Sequence, residues 1–294
     1  MHKGILIYNR EDYHKNSWFA QQFIEKASLY DMEINLIYSE DLILEINQGS
    51  FYVRVRKKKW DKPDFVINRS RNSMIGSHFE IMGCRVFNAS FVTEICNHKA
   101  KTHQIINKQG IPSVKTLLCN KQYFSFTNVV GNFPMILKSV SGHGGGEIYQ
   151  LHNQEELKNK LLTLSGEEFI LQEICTNPGK DIRVFVLGKE IVAAVKRYSN
   201  QSFKSNYSLG GESERYDLNA DETAIVEKVI NTMDFDFVGI DFILDKDNNF
   251  LFNEIEDVVG TRTLYRNYDI DIVKKYLQYI RENLSVWEAR ENWQ

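Results

Sequence analysis

The stretch FPMILKSVSGHGGGEIYQL, residues 133–151, reads as two strands separated by a glycine loop. Met135 to Leu137 form an apolar run suited to a buried strand, and Lys138 follows at its end, where a long charged side chain can leave the sheet. Next come Ser141, Gly142, His143, Gly144, Gly145 and Gly146. Glycine admits positive φ and close approach, so such a loop can turn backbone N–H groups toward phosphate oxygens. Upstream VKTLLC, then downstream helix QEELKNKLLTL and strand EFILQEI, complete a small α+β unit that would lie over those phosphates.

The N-terminal third alternates strand and helix. GILIY, an amphipathic stretch with Trp18, Phe19, Phe23 and Ile24, EINLIY, a hairpin strand FYVRVR, DFVINR, a helix near HFEIM, and CRVFN predict a small parallel α/β layer. The basic run Arg54 to Lys59 reads as a solvated hairpin edge. A helix from Phe91 to Gln109 carries Lys99 and stops at Gly110, with Pro112 just beyond. In the last third, DIRVFVLGKEIVAAVKRY is a hairpin turning at Gly188, followed by a helix from Ala220 to Met233. A second hairpin, FVGIDFILDKDNNFLFNEIE, turns at Asp247 to Asn249 and pairs the strands carrying Asp241 and Glu254. The last amphipathic helix is expected from Asp269 to Glu282.

Lys99, Lys138, the glycine loop, Asp241, Glu254 and Glu256 therefore occur in an order that suits a nucleotide site. The lysines supply point charges for a phosphate chain, and the late carboxylates can hold the magnesium that accompanies it. Glu254 and Glu256 alternate along one strand and so face one side, and magnesium prefers oxygen ligands shared between one or two carboxylates and substrate phosphates.

Composition narrows the partners. The 294 residues are 43% hydrophobic, enough for packed cores, and 36 basic against 39 acidic residues leave a formal charge of -3. That balance argues against a general nucleic-acid or anionic-membrane binder and favours small substrates. Cys84, Cys96, Cys119 and Cys175 show no CxxC spacing and read as buried thiols in a reducing compartment. The start MHKGILIYNRED has one short apolar run ended by charge, so neither a signal peptide nor a membrane span is expected and the chain is placed in the cytoplasm.

With these residues in place, the chain resembles the ATP-grasp superfamily, and within it the RimK-like carboxylate-amine ligases typified by ribosomal-protein S6 glutamate ligase. The likeness runs nearly end to end and is most specific in ILQEICTNPGKDIRVFVLGKEIVAAVKRYSNQSFKSNYSLGG, residues 170–211. There the family also places an acidic hinge, a DIR strand, an arginine ending the next strand, and a serine-asparagine pair before two glycines. VINRSRN and NHK resemble the family's arginine-containing strand end and the segment bearing its first lysine.

The resemblance implies an α/β (α+β) ATP-grasp fold in three parts. These are an N-terminal parallel α/β domain over residues 1–90, a central lobe with the glycine loop over 91–172, and a C-terminal lobe with the magnesium site over 173–294. ATP would lie clamped between the two lobes, its adenine near Gln172, Glu173 and Ile174 and its ribose reached by Asp181. Lys99 and Lys138 would hold phosphates, with Ser141, Gly142, Gly144, Gly145 and Gly146 closing over them and His143 near the terminal phosphate. Asp241, Glu254 and Glu256 would bind magnesium, or manganese in its place. Relatives usually carry asparagine where this chain has Glu256, and the loop Asp257 to Gly260 replaces a small proline-containing one that faces the acceptor substrate.

A ligase of this kind transfers the ATP γ-phosphoryl group to a carboxylate and lets an amine expel phosphate, forming an amide or peptide bond and releasing ADP. Charge neutralisation during the first step falls to magnesium, the lysines and an arginine, for which Arg197 and Arg183 are the candidates. Asn206 is assigned to the same centre by family position alone. Two parallel N–H donors match a carboxylate, which nominates Arg69, Arg71 and Arg262 for substrate binding. Glutamate or another amino acid added to a peptide or small acceptor is the family's suggestion, and a homo-oligomer is compatible with it. The competing readings are an ATP-dependent small-molecule kinase on the same scaffold and a nucleotide-binding protein without turnover.

Overall fold

A computed structural model describes residues 1–129, 131–142, 146–199 and 211–291. The chain opens with strand β1 (His2–Tyr8), helix α1 (Arg10–Lys26) and strand β2 (Met32–Tyr38). An antiparallel meander follows, β3 (Leu42–Asn47), β4 (Ser50–Val55) and β5 (Lys58–Trp60), and then β6 (Phe65–Asn68), α2 (Ser73–Ile81) and β7 (Arg85–Phe87). Strands β2-β1-β6-β7 form a parallel sheet, as the alternating pattern predicts. Gly4 is required there, because a Cβ would stand 2.2 Å from the Phe65 ring. The meander was only partly anticipated: β4 is the FYVRVR strand, but β3 and β5 flank it and Leu44, Val53 and Val55 pack onto the parallel layer's core.

The helix expected over Phe91 to Gln109 is instead two, α3 (Ser90–Cys96) and α4 (Lys99–Lys108). His98 breaks it by adopting an extended conformation and capping α4, its ring nitrogen accepting from the Lys101 N–H. The restart puts Lys99 at the first position of α4, with its own N–H bonded to Val140 O at 3.0 Å. Apolar periodicity continues across the break, which is why the sequence pattern concealed it.

The central unit contains β8 (Thr116–Asn120), β9 (Met135–Ser139), β10 (Ile148–Leu151), α5 (Gln154–Thr163) and β11 (Glu168–Glu173), in an antiparallel sheet ordered β10-β9-β11-β8. Next come β12 (Lys180–Leu187), β13 (Glu190–Tyr198), β14 (Glu212–Tyr216), α6 (Ala220–Ile230), β15 (Phe237–Leu244) and β16 (Phe250–Glu256). They make a five-stranded antiparallel sheet ordered β14-β13-β12-β15-β16. Helices α7 (Arg262–Asn267) and α8 (Ile272–Glu291) close the chain. Helix α6 stops three residues before Met233, and α8 begins later and runs further than expected.

Two large cores flank the five-stranded sheet. One joins it to the N-terminal layer through Phe23, Phe65, Phe237 and Tyr276, so α8 seals the first and last parts of the chain together. The other packs Val226 and Val229 of α6 with Ile182, Val184 and Ile240 from the opposite sheet face. Cys84 and Cys96 are buried thiols, whereas Cys119 and Cys175 are only partly buried, a correction to the expectation for all four. Among the described residues no helix is long and apolar enough to cross a membrane.

Candidate active site

The site grows from the register of the five-stranded sheet. Asp181 and Arg183 are two residues apart on β12 and share a face. Arg197 stands opposite Asp181, Asp241 opposite Arg183, and Glu254 opposite Asp241. Arg197 donates Nε and NH2 to Asp181 at 2.6 and 2.7 Å and a further NH2 bond to Asp241 at 2.8 Å. Arg183 grips Asp241 with Nε and NH2, both at 2.7 Å, and lies 2.8 Å from Glu256 Oε1. Charges therefore alternate from Asp181 through Arg197, Asp241 and Arg183 to Glu256, and all but the last are buried.

Burial would raise the Asp241 carboxyl, but Arg183 and Arg197 outweigh it and hold it below its ordinary range. Glu256 goes the other way. Partial removal from water pushes it up against the pull of Arg183, and the neighbouring Asp241 and Glu254 charges add to the rise. Gly239 keeps this row open to the loop after β16, since a Cβ there would meet Val259 Cγ2 at 2.5 Å.

The lysines approach from the central unit. Lys99 Nζ donates to Gly142 O and stands 3.5 Å from Glu254 Oε2. Lys138 is buried on β9 and donates to Asn253 Oδ1 at 2.8 Å, so its side chain points across to β16. Burial lowers its pKa to about 8, against Glu254, while Lys99 lowers it further.

Two cavities receive these groups. The larger, about 470 Å³, is lined by Gly142, Gly146, Lys99, Arg183, Arg197 and the Glu254–Glu256 pair, and also by Arg69, Arg71 and Arg262. The smaller, about 110 Å³, is lined by Lys138, Gln172, Glu173, Ile174, Asp181 and Glu254, with Val114, Ile136, Ile148 and Ile243 supplying apolar walls. Glu254 borders both. Ser141 is exposed and borders neither, and Asp241 lies behind the glutamates, 1% exposed. His143, Gly144, Gly145 and Asn206 lie outside the described residues.

The arginines nominated for substrate differ in their freedom. Arg69 is buried, donates NH2 to Val259 O at 3.0 Å, and has an Nε with no hydrogen-bond partner. Arg71, at φ 60°, pairs with the buried Asp12. Arg262 is exposed and donates to Lys15 O at 2.8 Å. That places α1 in the cavity wall through Asp12, Lys15 and Asn16, residues the sequence reading passed over as part of an ordinary amphipathic helix. Asn16 is non-helical within α1, and its side chain takes the Asp12 carbonyl. Asn97 was also missed: it bonds Asp257, the first residue of the loop after β16, at 2.8 Å, and both line the same cavity.

Asp241, Glu254 and Glu256 each offer an oxygen within 4.8 Å of the others, the one such cluster among the described residues. This all-oxygen, carboxylate-rich set suits magnesium. Asp241 already accepts three arginine bonds, so the open donor capacity rests mainly with the two glutamates.

Residues 96–280 match the RimK-like ATP-grasp domain family. The chain is 26% identical over 282 residues to the alpha-aminoadipate–LysW ligase LysX of Saccharolobus solfataricus, covering 90% of this chain and 98% of that protein. Among solved structures, D-alanine–D-alanine ligase from Bacillus anthracis complexed with ATP superposes with a TM-score of 0.74 at 15% identity, over 99% of this chain and 100% of that one. ATP-grasp ligase PsnB, complexed with a phosphomimetic variant of its minimal precursor, Mg and ADP, superposes with a TM-score of 0.65 at 16% identity, over 97% and 98%.

Proposed function

Because the chain belongs to the RimK-like ATP-grasp family of ligases, we propose that it joins a carboxylate to an amine through an acylphosphate, with ATP consumed to ADP and phosphate. One observation carries this reading: Lys99, Arg183, Arg197 and the glutamate pair converge on a single cavity whose wall also carries Arg69, Arg71 and Arg262. An anionic phosphate chain and a substrate carboxylate can then meet inside one enclosure.

In this reading the base lies in the smaller cavity between Ile136, Ile148 and Ile243, and Lys138 reaches the phosphates. Asp181 borders the same cavity with both oxygens held by Arg197, and it is the residue this reading assigns to the ribose. Glu254 and Glu256, backed by Asp241, would hold magnesium, which supplies charge neutralisation at the transferred phosphoryl group. Arg183 and Arg197 are fixed by their carboxylate partners, so they present charge without reorganising during transfer. Lys99 ties Gly142 to the cavity wall, and a wall closed there limits water near a hydrolysable intermediate. Acidic amino acids head the substrate classes to test, because Arg69, Arg71 and Arg262 share the cavity wall.

The test is a phosphate-release screen with ATP and magnesium across pairs of amino acids and short peptides, followed by product mass. Release that requires both a carboxylate and an amine, with a product lighter than the two reactants by one water, is the expected result. A phosphorylated product and no condensation would replace the ligase by a kinase.

A further inference from the structure

One buried polar cluster behind the smaller cavity has no role in the scheme above. His103 lies on α4 one turn after Lys99 and is 3% exposed. Its Nε2 is 3.1 Å from Gln172 Nε2, and that nitrogen is also 2.9 Å from Thr116 Oγ1. Thr116 Oγ1 in turn stands 2.9 Å from Val114 O, a carbonyl that can only accept. The single hydroxyl proton of Thr116 is therefore committed to Val114, and toward Gln172 the hydroxyl can only accept. This fixes the Gln172 amide with its NH2 group pointing inward, and makes His103 Nε2 the second acceptor, an unprotonated ring nitrogen. Burial, reinforced by the Lys138 charge, lowers the His103 pKa to about 4, so the ring is neutral as this arrangement needs.

Both Gln172 amide protons are thereby used. Among the described residues nothing donates to Gln172 Oε1, and Gln172 borders the smaller cavity. An adenine there offers an exocyclic amino donor, whereas guanine carries a carbonyl acceptor at the corresponding ring position. We propose that His103 is a positioning residue that locks Gln172 as a hydrogen-bond acceptor, so that the cavity selects adenine over guanine nucleotides. The inference rests on the assignment of this cavity to the nucleotide base. It also gives α4 a double part: Lys99 reaches the phosphate end, and His103, four residues on, sets the base end.

Calorimetric titration of ADP and of GDP, each with magnesium, decides the matter on the full chain and its variants. The unaltered protein should prefer ADP. In His103→Phe the amide is free to turn, so ADP should bind about tenfold more weakly while GDP is unchanged or tighter. His103→Gln, which restores an acceptor oxygen at similar reach, should recover the preference. Thr116→Val removes the other acceptor, should lower the same ratio, and decides the question if His103→Phe does not fold. An ADP to GDP ratio unchanged in the variants, or equal losses for both nucleotides, overturns the inference alone. Binding of neither nucleotide by the unaltered protein overturns the cavity assignment with it.

Discussion

Arg183 bridges Asp241 and Glu256, bonding the first through two nitrogens at 2.7 Å and standing 2.8 Å from the second. The carboxylate at position 256 therefore shares its counter-ion with Asp241. Removing a carboxylate from a divalent-cation site weakens attraction, while an amide oxygen can still coordinate. Glu256→Asn should keep the fold and turn over slowly, with a magnesium requirement raised on the order of 10–100-fold. Glu256→Ala should abolish turnover. Phosphate release titrated against magnesium reads both, and full activity of the alanine variant at limiting magnesium would place Glu256 outside the metal's ligands.

Lys138 gives the site a dependence on alkaline pH. Its ammonium form is present below about 8 and is lost above it, because burial opposes the charge. Nucleotide affinity should fall as the pH rises from 7 to 9.5, and proton uptake should accompany binding near the upper end. Lys138→Arg, which stays charged throughout, should flatten the profile, and Lys138→Ala should weaken binding at every pH. An ATP dissociation constant unaffected by the alanine change would remove Lys138 from the site.

The alternating row also bears on stability. Asp181→Ala would leave buried Arg197, among the described residues, with Asp241 as its carboxylate partner, and breaking a buried pair costs about 3–5 kcal/mol. Chemical denaturation should reveal a loss of that order, against under about 1 kcal/mol for the exposed Lys15–Glu11 pair. Asp241 is held below its ordinary range, so its contribution is full at neutral pH and declines as the pH falls through its lowered folded value. Acid denaturation of Asp241→Asn should accordingly be less steep.

Arg262 separates substrate binding from nucleotide binding. It is exposed, lines the larger cavity, and is tethered through one nitrogen to Lys15 O. Arg262→Ala should raise the KM for the carboxylate substrate about tenfold, the worth of one charge-assisted hydrogen bond. The ATP dissociation constant should not move. Equal changes in both would mark Arg262 as a structural tether between α1 and α7.

Much of the site was legible because strand alternation is a rigid rule. Asp241 and Glu254 had to pair once the hairpin was recognised, and Lys138 had to lie near the glycine segment. What stayed hidden depended on contacts between distant segments. Asp12, Lys15 and Asn16 look like the polar face of α1 until Arg71 and Arg262 fold back on them. His103 sits in the polar string KTHQ, and only the approach of β8 and β11 reveals it as buried. Similarly, the break at His98 rests on a capping bond that no periodicity encodes.

Glu254 is a wall common to both cavities. In the proposed reading the nucleotide meets this carboxylate from both cavities and the second substrate from the larger one, so each ligand changes the side chain that the other encounters. Linkage makes the effect mutual: whatever factor the nucleotide imposes on affinity for the second ligand, that ligand imposes on the nucleotide. Synergy or antagonism between the substrates can therefore arise from a single shared side chain, without any movement of one lobe against the other.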